Sequence, residues 1–128
     1  MVRIWAFFGA LNAFIAVGAG AFGAHALKAR LTPERLATFE VGARYQMYHA
    51  LALFAVAFLA TQGLAVRGAG VAFLIGIVLF SGSLYALALT GVTRLGVVTP
   101  FGGLGFLVGW ALVALACARL QTQTPVRG

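Results

Sequence analysis

Residues 4–27, IWAFFGALNAFIAVGAGAFGAHAL, run for 24 residues without an Asp, Glu, Lys or Arg. Three more uncharged runs follow, at 45–66, 68–93 and 95–118, with lengths of 22, 26 and 24 residues. A hydrocarbon core of roughly 30 Å is crossed by about 20 apolar residues in a helix rising 1.5 Å per residue. Each run is long enough to span. The pattern predicts an all-α integral membrane four-helix bundle, with spans at about 4–27, 45–66, 68–93 and 95–118.

Composition points the same way. Of 128 residues, 62% are hydrophobic and 9% charged, whereas a soluble globular chain carries about a quarter charged residues. Four spans and short connections use up the length, so residues 1–128 read as one membrane domain with no room for a separate soluble catalytic domain. The net charge of +7 comes from basic residues scattered between the apolar runs. That placement suits lipid head groups and orientation signals, and argues against nucleic acid, whose binders gather basic residues on one soluble face. Membrane lipids are therefore the expected surroundings. Arg3, the first apolar run and Ala24-His25-Ala26 also fit a secretory signal, but the run exceeds a signal core and is read as a retained span. Cys117, the one cysteine, reads as a small packing residue.

Between the first two spans, residues 33–44 read as a short interfacial amphipathic helix. Thr32 is its cap, Pro33 suits its first position and Glu34 favours the positive end of its dipole. Leu36, Phe39 and Ala43 fall on one face, and Glu40 and Arg44 are spaced as an i,i+4 ion pair. The helix is expected to lie on the membrane surface, with a bend near Gly42 leading into the second span. Thr99 reads as a cap for the fourth helix, with Pro100 in its first turn. The tail from Gln121 to Gly128 reads as polar and mobile. Gly20 and Gly23 in the first span, and Gly105 and Gly109 in the last, have the small-residue spacing that lets helix backbones approach in lipid. They are expected to face each other or a second copy. Basic residues are nearly balanced between the two membrane faces, with the densest group between the first two spans.

Ionisable and polar groups at membrane depth usually have a reason. His25 and His49 are expected near the same face, at similar depth and as neighbours. With Glu40, Tyr45 and Gln46 they form a candidate polar or ligand site. Such a pair could hold a metal or haem, or relay protons; the simpler role is a hydrogen bond to a carbonyl or to a side chain such as Gln46. Asn12, Ser81, Ser83 and Tyr85 are candidate mid-membrane polar contacts, with Ser81 or Tyr85 as partner of Asn12. No nucleophile-base arrangement, phosphate loop or set of metal ligands stands out, so neither enzyme activity, metal nor cofactor is expected.

Gly20-Ala21-Phe22-Gly23-Ala24-His25-Ala26-Leu27-Lys28, Tyr45-Gln46-Met47-Tyr48-His49-Ala50-Leu51, Phe80-Ser81-Gly82-Ser83-Leu84-Tyr85 and Thr99-Pro100-Phe101-Gly102-Gly103 together resemble the bacterial inner-membrane family known as domain of unknown function 423, related to the animal transmembrane protein 256. The resemblance implies a four-span protein of the bacterial inner membrane with no established activity. It marks His25, Glu40, Tyr45, Gln46, His49, Ser81, Ser83, Tyr85, Pro100 and Gly103 as motif positions.

The expected role is that of an accessory or self-associating helical component of the plasma membrane, as a homo-oligomer or a subunit of a larger complex. One competing reading is a small-solute or proton carrier or channel acting as a homo-oligomer, gated by His25, His49 and Glu40. Another is haem or metal binding through the histidine pair.

Overall fold

The computed structural model describes residues 2–122, and residues 123–128 of the polar tail lie outside the described residues. The described residues are helical almost throughout and contain no strand. Helix α1 runs Val2–His25, α2 Pro33–Thr61, α3 Arg67–Gly76, α4 Gly82–Thr90 and α5 Thr99–Ala118. A five-residue π turn, Ile77–Ser81, joins α3 to α4, so that Arg67–Thr90 is one rod and the fold has four. The rods follow one another as antiparallel neighbours: α1 packs on α2, α2 on α3 and α4, and α3 with the π turn on α5.

By length and composition three helices could each cross a membrane, Val2–His25, Arg67–Thr90 and Thr93–Ala118. The second rod differs from expectation. Residues 33–44 are not a separate helix; they are the first turns of α2, which continues through Gly42 for 29 residues. Thr32 does cap it, its Oγ1 accepting from the Arg35 amide at 3.3 Å, with Pro33 in the first turn. The face expected to lie on a membrane surface is instead covered by protein. Phe39 and Ala43 are buried, with Phe39 against Gly23 of α1 and the Tyr85 ring of α4. Gly42 is not a bend: a Cβ there would lie 3.0 Å from the Tyr85 ring. A helix that buries an apolar stripe on two neighbours has no cause to turn aside.

Glycines and aromatic rings interlock along the seams. Trp5 fills the space above Gly70, Phe73 lies against Gly109, and Phe106 lies so close to Gly76 that a Cβ would collide with its ring. At Gly102 a Cβ would collide with the Phe80 backbone nitrogen. Gly105 backs onto Ala72 and Gly76. Gly23, Gly105 and Gly109 are thus used within one chain, and the first and last spans do not face each other through them. Gly20 packs on nothing: no atom lies within 4 Å of a Cβ built there.

The turns have local causes. Gly63, at φ +78, ends α2 in a Schellman motif, with Leu64 N donating to Leu59 O at 3.2 Å and Gly63 N to Ala60 O at 3.1 Å. Gly91, at φ +73, ends α4, and the Arg35 Nε donates to Ala88 O at 2.7 Å. That cation sits against the negative end of the α4 dipole and ties the start of α2 to the end of α4.

Gly102→Ala is expected to destabilise by roughly 1–3 kcal/mol, because the opposing atoms are backbone and cannot rotate away. Gly18→Ala, with open space around it, is expected to change stability by less than about 0.5 kcal/mol. Thermal loss of helicity in one detergent compares the two, and equal melting would contradict so close an approach of α5 to the π turn.

Candidate functional site

Two polar constellations sit inside the bundle, both built on the middle of α2. In the first, the Gln46 carboxamide lies between α1 and α4. Its Nε2 donates to Asn12 Oδ1 at 3.0 Å, and its Oε1 accepts from the Tyr85 hydroxyl at 2.7 Å. Asn12 Nδ2 in turn donates to Phe8 O at 2.8 Å. Asn12 and Gln46 are both buried. Asn12 therefore reaches Tyr85 through Gln46, and Ser81 takes no part.

The second is centred on His49. Trp110 Nε1, which can only donate, meets His49 Nε2 at 3.1 Å, and His49 Nδ1 lies 2.7 Å from Tyr45 O. Nε2 must then be the acceptor, so the hydrogen is on Nδ1 and is donated to the Tyr45 carbonyl: a neutral imidazole of defined tautomer. Its ring stacks on Phe106, centroids 3.5 Å apart and planes at 5°, with Phe73 on another side at 5.5 Å. Tyr45 contributes its carbonyl here and stacks its ring at 6.3 Å from the imidazole. The imidazole, Trp110 and Phe106 line part of an open aromatic recess of ≈ 400 Å³ between α2 and α5.

Lower on α4, Ser83 Oγ donates to Phe80 O at 2.9 Å and shares a hydrogen bond with Thr99 Oγ1 at 2.6 Å. The Thr99 hydroxyl thus joins α4 to α5 and does not cap α5, whose start is set by Pro100. Ser81 closes the π turn with its hydroxyl buried and without a partner among the described residues.

The other expected site residues are elsewhere. Gly9 faces Ala50, Asn12 bonds Gln46 and Gly23 meets Phe39. On that register His25, at the end of α1, is level with the first turns of α2, and His49 lies 12 or 13 residues further along. At 1.5 Å per residue the imidazoles are roughly 20 Å apart. The neighbouring pair inferred from sequence does not form, because α2 runs straight on from Pro33 and carries His49 deep into the bundle. Both His49 nitrogens are engaged in any case. Haem or metal held between the two histidines, and a gate of His25, His49 and Glu40, both lose their geometry. Among the described residues no group of three His, Cys, Asp or Glu could hold a metal. Glu40 lies with Arg44 in a cleft on the outer flank of α1 and α2, and the expected ion pair between them is absent.

Reading by sequence missed Trp110, Phe106 and Arg35, and gave Thr99 a capping role in place of its bond to Ser83. Trp110 lies two turns after Gly103 in an otherwise apolar helix, and an indole N–H there needs an acceptor, which was the available signal.

Gln46→Leu leaves Asn12 Oδ1 without a donor and the Tyr85 hydroxyl without an acceptor. Hydrogen bonds between membrane helices average about 0.6 kcal/mol each, so a loss of about 1 kcal/mol is expected. Tyr85→Phe should remove about 0.6 kcal/mol alone and little further in the Gln46→Leu background. A double-mutant cycle on unfolding in detergent measures this, and strictly additive losses would exclude the relay.

The profile of a family described as "protein of unknown function (DUF423)" matches residues 19–103, which hold α2 to α4 together with Gln46, His49, Ser81, Ser83, Tyr85 and Thr99, while Asn12, Phe106 and Trp110 lie outside it. Similar proteins include the UPF0382 membrane protein YwdK of Bacillus subtilis, 45% identical over 92% of this chain and 98% of its own length. The UPF0382 membrane protein SERP0230 of Staphylococcus epidermidis is 45% identical over 90% of this chain and 95% of its own. That of Staphylococcus saprophyticus, SSP2132, is 42% identical over 93% and 100%. No solved structure matches. The chain, an all-helical membrane protein with long apolar helices, belongs to the DUF423 family of membrane proteins, whose activity is not established.

Proposed function

We propose that this chain is a non-catalytic, four-span component of the bacterial plasma membrane that acts by lateral association, with copies of itself or as an accessory subunit of a larger membrane complex. One observation carries the reading: the buried polar side chains hold helices to one another. Gln46 joins α1, α2 and α4, His49 joins α2 to α5, and Ser83 joins α4 to α5. The seams between them are closed by glycine against aromatic ring, so the interior serves packing and leaves no polar route from one end to the other. The outer surface carries large apolar side chains along every rod, among them Phe14, Phe58, Val78 and Leu107.

The bilayer reading extends to α2. Its second half is apolar, and a 29-residue helix is about 43 Å long, more than the roughly 30 Å of hydrocarbon. Its first turn, with Glu34 and Arg35, then stands at head-group level beside Lys28, Arg30 and Arg94. That end holds the denser positive charge and faces the cytoplasm.

Gentle extraction from the host membrane followed by native mass spectrometry tests the reading. The chain is expected in assemblies of at least two subunits. A bare monomer in every mild detergent would overturn it.

A further inference from the structure

One patch of charge lies where the bundle itself has no use for it. Glu40 and Arg44 are exposed on the flank of α2, one turn apart, and with Ala16, Gly20, Ala43 and Met47 they line an open cleft of ≈ 420 Å³. Neither side chain has a hydrogen-bond or ion-pair partner among the described residues. The wall supplied by α1 belongs to the uncharged run 4–27. Gly20 and Ala16 lie five and nine residues inside His25, roughly 8 and 14 Å from the end of α1. An acid and a base facing lipid below the head groups are costly unless paired.

We propose that this cleft is the contact between two copies of the chain, in which Glu40 of each copy pairs with Arg44 of the other. The proposal rests on the lateral association above and names its partner and its face. A two-fold axis along the membrane normal sets identical depths of the two copies face to face. Helical side chains lean toward the N-terminus, so the long Arg44 side chain, one turn deeper, reaches the level of the opposite Glu40. Symmetry then makes two ion pairs, each satisfying a charge that its own chain leaves unpaired. The small residues Ala16, Gly20 and Ala43 let the backbones approach closely, and no atom of the same chain occupies the space beside Gly20.

The test uses full-length chains, with native mass spectrometry in mild detergent and energy transfer between labelled copies in lipid nanodiscs. Glu40→Arg alone and Arg44→Glu alone each place like charges across the axis, and each is expected to lower the dimer fraction about tenfold or more. Mixing the two variants should restore a heterodimer, and the double variant Glu40→Arg/Arg44→Glu should restore the homodimer. Helicity and melting of each variant show that folding is intact. Failure of the mixture and the double variant to recover, with both variants folded, would overturn the proposal. Single variants that dimerise like the original would also overturn it while leaving lateral association standing, and a monomeric original chain would remove both. A monomer carrying phosphatidylethanolamine that Arg44→Glu removes would assign the cleft to a lipid head group instead and overturn the pairing.

Discussion

An amide taken out of water without partners costs several kcal/mol in hydrocarbon, and that penalty is what makes the Gln46 carboxamide decisive. It has one donor side and one acceptor side, and the structure gives each a partner on a different helix: Asn12 on α1 and Tyr85 on α4. A slide of α1 by one turn would move Asn12 about 5.4 Å, beyond hydrogen-bonding reach, and leave the Asn12 Oδ1 without its donor and the Gln46 Nε2 without its acceptor. Apolar side chains alone cannot impose such a penalty, because a lipid tail solvates leucine as well as another leucine does. Gln46 therefore defines the depth at which α1, α2 and α4 meet, and the remaining contacts fall into register around it.

What holds the helices close is shape. Phe73 over Gly109 and Phe106 against Gly76 bring α3 and α5 together at a distance that any side chain on the glycines would forbid. The His49 ring is laid flat on Phe106 by the same approach, within reach of the Trp110 N–H. The polar contact and the packing depend on each other: Phe106 seats the imidazole, and the bond from Trp110 fixes which imidazole face Phe106 can meet. The π turn adds to this. One extra residue per turn at Ile77–Ser81 rotates α4 relative to α3, so that Phe73 faces α5 while Tyr85 faces Gln46.

The all-helical fold, its long apolar helices, the Thr32 cap and Pro100 at the head of α5 were legible from residue pattern, since uncharged length and capping chemistry are local properties. Two things were not. The spacing of Leu36, Phe39 and Ala43 shows that a helix has an apolar face, but a membrane surface and a neighbouring helix both accept such a face, and only the partner rings Tyr85 and Phe22 decide between them. That ambiguity displaced His49 by several turns and produced a histidine pair that does not exist. Small-residue spacing is ambiguous in the same way. It marked Gly23, Gly105 and Gly109 as sites of close approach and could not say that the groups beside them are Phe39, Gly76 and Phe73 of the same chain.

That distinction bears on where any association can occur. Once the glycines of α5 are covered by α3, and Gly23 by Phe39, they offer nothing to a second molecule. Uniformly apolar outer surfaces give lipid and protein nearly equal claims, so they select no partner. Selectivity in a bilayer has to come from groups that lipid tails satisfy badly and from places where a backbone can come close. Glu40 and Arg44 are of the first kind, and Gly20 is of the second; the fold sets all three around one opening, on the side of α1 and α2 away from α5. In the pairing proposed above, charge that looks like a surface ion pair in sequence becomes the part of the outer face that discriminates between neighbours.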